Sequence, residues 1–233
     1  ATSLPAMPVP VARAFDLKTL EGREINELLA LNPETVFARL PVVCEGITEV
    51  GFATKLLSHK FGNDFSARGV FMQKAGFDIA AVADDEGRKE GSWNEIARKA
   101  ILLRWENGED VEYAVLKALP VDVLPQAVNW PEEFGGKAAR HCLADLRAAL
   151  GVDNDGRSAE QLLEEHGREA FFTALYIAAC PRREGNRKPT GWFKSFDGGF
   201  LLADKLMTLN PVPKALYDKI VLFLDSVERA TAT

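Results

Sequence analysis

Cysteine and histidine are scarce in this sequence, which has three of each among 233 residues. The cysteines (Cys44, Cys142 and Cys180) are far apart and form no CxxC pair, which argues against a disulfide framework and against a structural zinc site. No apolar run approaches the roughly 20 residues of a membrane span, and the N-terminus lacks the pattern of a signal peptide. We therefore expect a cytoplasmic protein with reduced thiols and no membrane partner.

Neither the length nor the charge is extreme. A chain of 233 residues with 47% hydrophobic residues can bury the core of one large domain or two small ones. The net charge of −6 argues against a protein that simply coats nucleic acid, but it allows a local basic surface. The chain begins with alanine, and we expect it to be a fragment of a longer protein.

Strand and helix patterns alternate in the first half of the chain. Short apolar runs predict strands, and stretches with helical periodicity follow them, which together predict a mostly parallel sheet flanked by helices. From Pro120 onward the periodicity predicts a lobe of helices, and a loop rich in glycine and basic residues precedes the last helices. The predicted strands are 40–44, 77–84 and 101–105, and the predicted helices of the lobe are 121–130, 136–150 and 158–179.

The segment "LPVVCEGITEVGF" at residues 40–52 has glycines spaced like those of a phosphate-binding loop. That motif also needs a lysine and a serine or threonine after its second glycine, whereas Gly51 is followed by Phe52 and Ala53. Glu45, before the first glycine, would repel a triphosphate. The segment therefore does not predict a nucleotide cradle.

Acidic residues follow each of the three predicted strands. Sites in open parallel sheets form at the carboxyl ends of the strands, and Mg²⁺ prefers carboxylate oxygens. Each acid alone could also be a solvated surface residue or a favourable start of a helix. The acids are Glu45 and Glu49 after the first strand, Asp84, Asp85 and Glu86 after the second, and Glu112 after the third.

This arrangement resembles the Toprim domain of topoisomerases, primases and recombination proteins, and above all the form found in overcoming-lysogenization-defect (OLD) nucleases. The motifs that carry the resemblance are "VVCEGITEVGF", the acidic "ADDEG" and the later "KPTGWFKSFDGG". It covers residues 42–205 and implies a Toprim core at 40–119, a helical lobe at 120–180, and a lysine-bearing loop with C-terminal helices at 181–233. Residues 1–39 would be an arm or linker from an ATPase domain of the same full-length chain, and a homodimer would form through that missing domain.

The resemblance also implies roles for individual residues. Glu45 and Glu49 match the two glutamates of the first motif, and Glu112 matches the acid after the third strand. Asp84 and Glu86 match a D-x-D pair in which glutamate replaces the second aspartate, and Asp85 between them would offer its backbone carbonyl. The catalytic lysine would be Lys194, with Lys188 as the second choice. The segment at residues 62–74 is shorter than the corresponding segment of related chains, which often contains an extra strand. The number of strands therefore stays open.

Basic residues cluster in the loop before the last helices and predict a local DNA-binding surface. They are Arg182, Arg183, Arg187, Lys188 and Lys194. Trp192 and Phe193 are interleaved with them, and we expect both rings to pack into the core rather than to stack on bases. We interpret "FDGG" at residues 196–199 as a turn.

The resemblance implies a DNA endonuclease that uses two Mg²⁺ or Mn²⁺ ions to activate water and stabilise the leaving 3′-oxygen, with Ca²⁺ as a possible non-native occupant. Two alternatives stay open at this point. One is a non-catalytic Toprim module that binds DNA or a partner, and the other is a module of the primase or topoisomerase kind.

Overall fold

The structure is a computed structural model of the chain. It describes residues 40, 42–44, 46–61, 79–84, 93–94, 97–98, 100–105, 107–152, 156–181, 191–209 and 213–232. The predicted N-terminal arm at residues 1–39 lies outside this range, as does most of the region around residues 62–74 in which the strand count was left open.

The described strands form one parallel sheet, as the alternating pattern predicts. They are β1 (Val42–Cys44), β2 (Ile79–Ala83) and β3 (Ala100–Arg104), and β2 lies between the other two. Ala81 of β2 is in register with Val43 of β1 and with Leu102 of β3. All three strands therefore end at the same edge of the sheet.

Helices cover this small sheet and make the fold a mixed α/β one. Helix α1 (Ile47–Phe61) follows β1, and α2 (Val111–Ala118) follows β3. The side chains of Phe52 on α1 and Trp105 after β3 are buried and meet edge to face, with ring centroids 5.7 Å apart. Because such aromatic pairs bury a large apolar area, this contact fixes α1 on the sheet.

The lobe after Pro120 is helical, as predicted. Its elements are a 3-10 helix (Leu124–Val128), α3 (Trp130–Glu133), α4 (Ala139–Leu150) and α5 (Ala159–Ala179). Helix α5 begins with a capping box, in which Ser158 and Gln161 exchange side-chain to backbone hydrogen bonds. Gly167 interrupts α5 with a φ of 75°. The predicted domain boundaries themselves stay predictions.

Two helices close the chain, α6 (Phe196–Thr208) and α7 (Lys214–Ala232). The prediction of a turn at residues 196–199 is wrong, because these residues form the first turn of α6. Ser195 caps this helix by accepting a hydrogen bond of 3.0 Å from the backbone N–H of Gly198. A serine followed closely by two glycines is typical of a turn, but here the serine is the N-cap of a helix.

Helices α1 and α6 approach each other closely through glycines. A Cβ atom on Gly51 of α1 would collide with the carbonyl oxygen of Phe196, and one on Gly199 of α6 would collide with that of Thr48. The glycine that suggested a phosphate loop is therefore required by helix packing. This contact brings the start of α6, and with it Lys194, to the first turn of α1.

Candidate functional site

Asp84 emerges at the carboxyl edge of the sheet, directly after β2. Pairing of the strands continues to this point, since the Trp105 N–H donates to the carbonyl of Ala83 at 3.1 Å. Asp84 Oδ1 is buried and receives no hydrogen bond from the residues that the structure describes. Burial and then the charges of Glu49, Asp110 and Glu112 raise the pKa of Asp84 to about 8, and Lys194 only partly opposes this. A buried acid with a strongly raised pKa at the carboxyl edge of a parallel sheet is a candidate functional residue.

The turn after β3 contributes two acids, Asp110 and Glu112. Asp110 caps α2 by accepting the N–H of Tyr113 at 2.7 Å, and its other oxygen accepts the hydroxyl of Tyr176 at 3.1 Å. Glu112, in the first turn of α2, is completely buried. Burial raises the pKa of Glu112, although the charge of Lys194 acts in the opposite direction. The helix start thus directs both carboxylates toward the sheet edge.

Lys194 is the cation of this acidic group. Its Nζ lies 2.7 Å from Glu112 Oε1 and 3.9 Å from Asp110 Oδ2, and its side chain remains 42% exposed. Burial acts to lower the pKa of Lys194, but the charges of Glu112 and Asp110 outweigh it and raise the pKa above the ordinary range. The amine is therefore charged at neutral pH and is held at the boundary between the acids and solvent.

The turn that carries Lys194 is anchored on both sides. The N–H of Trp192 donates to the carbonyl of Ala179 at 2.8 Å, and its indole donates to Asp145 at 3.0 Å. Phe193 is buried, and its carbonyl accepts a hydrogen bond of 3.3 Å from Thr48 of α1. The expectation that both aromatic rings pack into the core is confirmed. These contacts fix the position from which the lysine side chain starts.

Glu49 lies in the first turn of α1 and is 3% exposed. Its charge contributes to the raised pKa of Asp84, and after burial it is the second cause that raises the pKa of Cys44 to about 12. A Cβ atom on Gly46 would collide with the Glu49 carboxylate. The absence of a Cβ at Gly46 leaves room for the Glu49 carboxylate in its present position.

Two residues of this group were not predicted from the sequence. Cys180 ends α5, and its Sγ lies within 4.8 Å of a carboxylate oxygen of Asp110 and of Glu112, which are also within that distance of each other. Asp110 could have been found, because an aspartate just before a predicted helix is a typical cap. Cys180 had no local pattern, since only the packing of α5 against α2 brings it here.

The structure therefore brings together four of the sequence-predicted residues: Glu49, Asp84, Glu112 and Lys194. The other predicted residues lie outside the described part of the chain, and their roles stay predictions. They are Glu45, Asp85 and Glu86 among the metal ligands, and Arg182, Arg183, Arg187 and Lys188 among the DNA-binding residues, of which Lys188 was also the second choice for the catalytic lysine.

Hard divalent cations fit this donor set. Four carboxylates, of Glu49, Asp84, Asp110 and Glu112, face a single lysine, so the described site has an excess of negative charge. Two buried oxygens, Asp84 Oδ1 and Glu112 Oε2, receive no hydrogen bond from other described residues. Carboxylate oxygens in this number are the ligands that Mg²⁺, Mn²⁺ and Ca²⁺ prefer.

An open groove of about 880 Å³ adjoins the acids on the side of Lys194. Phe134, Trp192 and Ile177 contribute apolar surface, and Lys194, whose Nζ contacts Glu112, also lines the groove. Pro181 and Gly191 also line it. The predicted basic residues 182–188 lie between these two residues in the sequence.

Comparison of the chain with protein-family models, with curated proteins and with solved structures finds no significant match. The resemblance to the Toprim domain thus rests on the motifs alone. Among the helices that the structure describes, none combines the length and the apolar character needed to cross a membrane.

Proposed function

We propose that the protein is a divalent-metal-dependent DNA endonuclease whose catalytic region is of the Toprim type found in OLD nucleases. One observation carries the proposal: acids that follow all three parallel strands gather at a single edge of the sheet, where a lysine contacts one of them. They are Glu49 after β1, Asp84 after β2 and Glu112 after β3, with Lys194 2.7 Å from Glu112. Each acid alone is ordinary, but their convergence with buried, unpartnered oxygens is typical of a metal-dependent active site.

Four described residues would hold the ions: Glu49, Asp84, Asp110 and Glu112. The predicted ligands Glu45, Asp85 and Glu86 would join them. When bound, Mg²⁺ or Mn²⁺ would supply activation of water and stabilisation of the leaving 3′-oxygen. The protein supplies a fixed arrangement of four described carboxylates, three of which sit at helix starts and one directly after a strand. Such rigid elements hold ligands more accurately than loops do.

Lys194 would neutralise the negative charge that grows on the phosphate during cleavage. Its raised pKa keeps the amine protonated, and its partial exposure lets it contact a substrate as well as Glu112. A fixed positive group beside the developing charge lowers the barrier because it needs no reorganisation during the reaction. The neighbouring Phe193 is buried and fixes the backbone from which the lysine side chain extends.

DNA would approach along the groove beside Lys194. The acids alone would repel a phosphodiester, so binding requires the cations and the basic residues near the groove. The predicted phosphate contacts are Arg182, Arg183, Arg187 and Lys188, which lie in the sequence between Pro181 and Gly191. The ATPase domain and the homodimer stay predictions from the resemblance.

Cleavage of supercoiled plasmid tests the proposal. The protein is incubated with plasmid and Mg²⁺ or Mn²⁺, or with EDTA, and nicked and linear products are measured over time. We expect cleavage only with a divalent ion, and a loss of about 100-fold or more in Glu112→Gln, because a buried metal ligand is removed. Glu164→Gln, on the exposed side of α5, is the matched control and should cleave like the unaltered protein.

Other outcomes would replace this proposal. Plasmid that stays intact with both ions, while the protein still binds DNA, would indicate a non-catalytic module. Synthesis of primers from nucleoside triphosphates would indicate a primase-like module, and a change of linking number without net cleavage would indicate a topoisomerase-like one.

A further inference from the structure

A thiol lies among the carboxylates of the candidate site. Three atoms lie within 4.8 Å of one another: Sγ of Cys180, one carboxylate oxygen of Asp110 and one of Glu112. Burial, and then Glu112 and Asp110, raise the pKa of Cys180 above its ordinary range. A hard ion such as Mg²⁺ gains nothing from sulfur, so the nuclease chemistry proposed above does not use this residue.

The burial of Glu112 is the second observation at this point. Its side chain is completely buried, and Oε2 receives no hydrogen bond from any other residue in the described ranges. Lys194 Nζ lies 2.7 Å from Oε1, at the end of a side chain that is partly in solvent. A buried carboxylate oxygen without a hydrogen-bond donor destabilises the folded state unless a cation or a donor binds beside it.

We propose that Cys180, Asp110 and Glu112 form a binding site for a divalent transition-metal ion of borderline softness, in the class of Zn²⁺ and Co²⁺. A ligand set of one thiolate and two carboxylates selects such ions over Mg²⁺ and Ca²⁺. The inference deepens the proposed function, because it rests on the same acidic site and shares Glu112 with it. Zn²⁺ would consequently compete with Mg²⁺ at this edge of the sheet.

Binding changes two existing interactions. The S–H bond of Cys180 breaks as the sulfur–metal bond forms, and the proton is released to solvent. Glu112 exchanges part of its interaction with Lys194 for the metal, and the freed amine can turn toward the groove that it lines. Asp110 keeps its hydrogen bond from Tyr176, which holds the carboxylate in place.

Titration with Co²⁺ tests this site without DNA. A cobalt–thiolate bond produces a charge-transfer absorption band that carboxylates alone do not produce. We expect the band in the unaltered protein and in Cys142→Ser, whose thiol is buried in α4. We expect no band in Cys180→Ser, together with Co²⁺ affinity that is at least about 10-fold lower. A band that is absent from the unaltered protein, or that survives in Cys180→Ser, would overturn the proposal.

Two further measurements sharpen the test. Cys44→Ser should keep the band, and its disappearance there would assign the sulfur ligand to β1 and refute the role of Cys180. Mass spectrometry of the unaltered protein after alkylation needs no variant: Zn²⁺ should slow modification of Cys180 at least about 10-fold, and an unchanged rate would contradict the site. A protein that shows the band but cuts no DNA would refute only the nuclease, whereas one that cuts DNA without the band would refute only this site.

Discussion

The two sides of helix α1 differ in the kind of contact that they make: one is packed against apolar groups and backbone, and the other carries buried acids. On one side, Gly51 lets the backbone of α6 approach, and Phe52 is buried against Trp105. On the other side, Glu49 joins Asp84 and Glu112 in a buried group whose negative charges outnumber Lys194. The first side is close-packed and apolar, as protein interiors usually are. The second retains unfavourable electrostatics, which proteins keep where activity requires it.

The comparison teaches that the close-packed side of α1 positions the acidic side. Gly51 and Gly199 set the distance between α1 and α6, and the hydrogen bond from Thr48 to Phe193 ties α1 to the turn that holds Lys194. Removing the packing should therefore damage both the fold and the site. Removing a charge should damage the site and leave the fold intact. The following predictions separate these two effects.

The largest effect is expected for Gly199→Ala, because the added Cβ would collide with the backbone of Thr48, which cannot move independently of α1. We expect a loss of about 3 kcal/mol in the free energy of unfolding, measured by urea denaturation. Gly135→Ala is the control, since it has a φ of 75° but open space around the new Cβ, and it should cost only about 1 to 2 kcal/mol of backbone strain. Equal losses in both variants would contradict the close-packing account.

Lys194→Met should come next. It retains much of the apolar stem but removes the charge beside Glu112, and we expect plasmid cleavage to fall about 100-fold. Thermal unfolding should show that the variant is folded. Lys214→Met, at an exposed position of α7, is the control and should cleave normally. Cleavage by Lys194→Met at the rate of this control would remove the lysine from the proposed mechanism.

Asp84→Asn should affect stability in a way that depends on pH. The pKa of Asp84 is raised from 3.8 to about 8, so the folded state holds this proton more tightly than the unfolded chain. In EDTA, the stability that this proton contributes is therefore complete below pH of about 4 and is lost as the pH rises through about 8. We expect Asp84→Asn to flatten that decline and to raise Tm at pH 8 by about 2 to 4 °C, a modest change because the side chain is partly exposed.

Mg²⁺ provides the control for this prediction. Added at pH 8, it should raise the Tm of the unaltered protein and have less effect on Asp84→Asn, because a bound ion stabilises the folded state. A pH profile of Tm that is identical in both proteins would show that Asp84 titrates normally.

Tyr176→Phe should have the smallest effect. It removes the hydrogen bond to Asp110, and we expect a loss of about 0.5 kcal/mol in stability because the acceptor is only partly buried. Affinity for Mn²⁺, measured by calorimetry, should fall about 10-fold, since a group that orients a metal ligand is lost. Tyr217→Phe on the exposed surface of α7 is the control and should change neither quantity.

Much of the architecture could be predicted from the sequence because it depends on local patterns. Apolar runs followed by helical periodicity predicted β1, β2, β3 and the helices of the lobe, since short-range hydrophobic spacing determines which backbone conformation can bury its side chains. The convergence of Glu49, Asp84 and Glu112 also followed, because parallel strands end at one edge of a sheet. The resemblance selected Lys194 from the cations of its loop.

Only the tertiary structure decided the rest, because long-range packing leaves little trace in local spacing. Cys180 meets Glu112 through the docking of α5, and Gly51 owes its small size to the backbone of α6 rather than to a phosphate. The glycines after Ser195 likewise predicted a turn, whereas the structure places them in the first turn of α6, where Gly199 packs against α1. The sequence thus determined that Glu49, Asp84 and Glu112 reach the sheet edge, whereas packing decided which thiol and which glycines surround them.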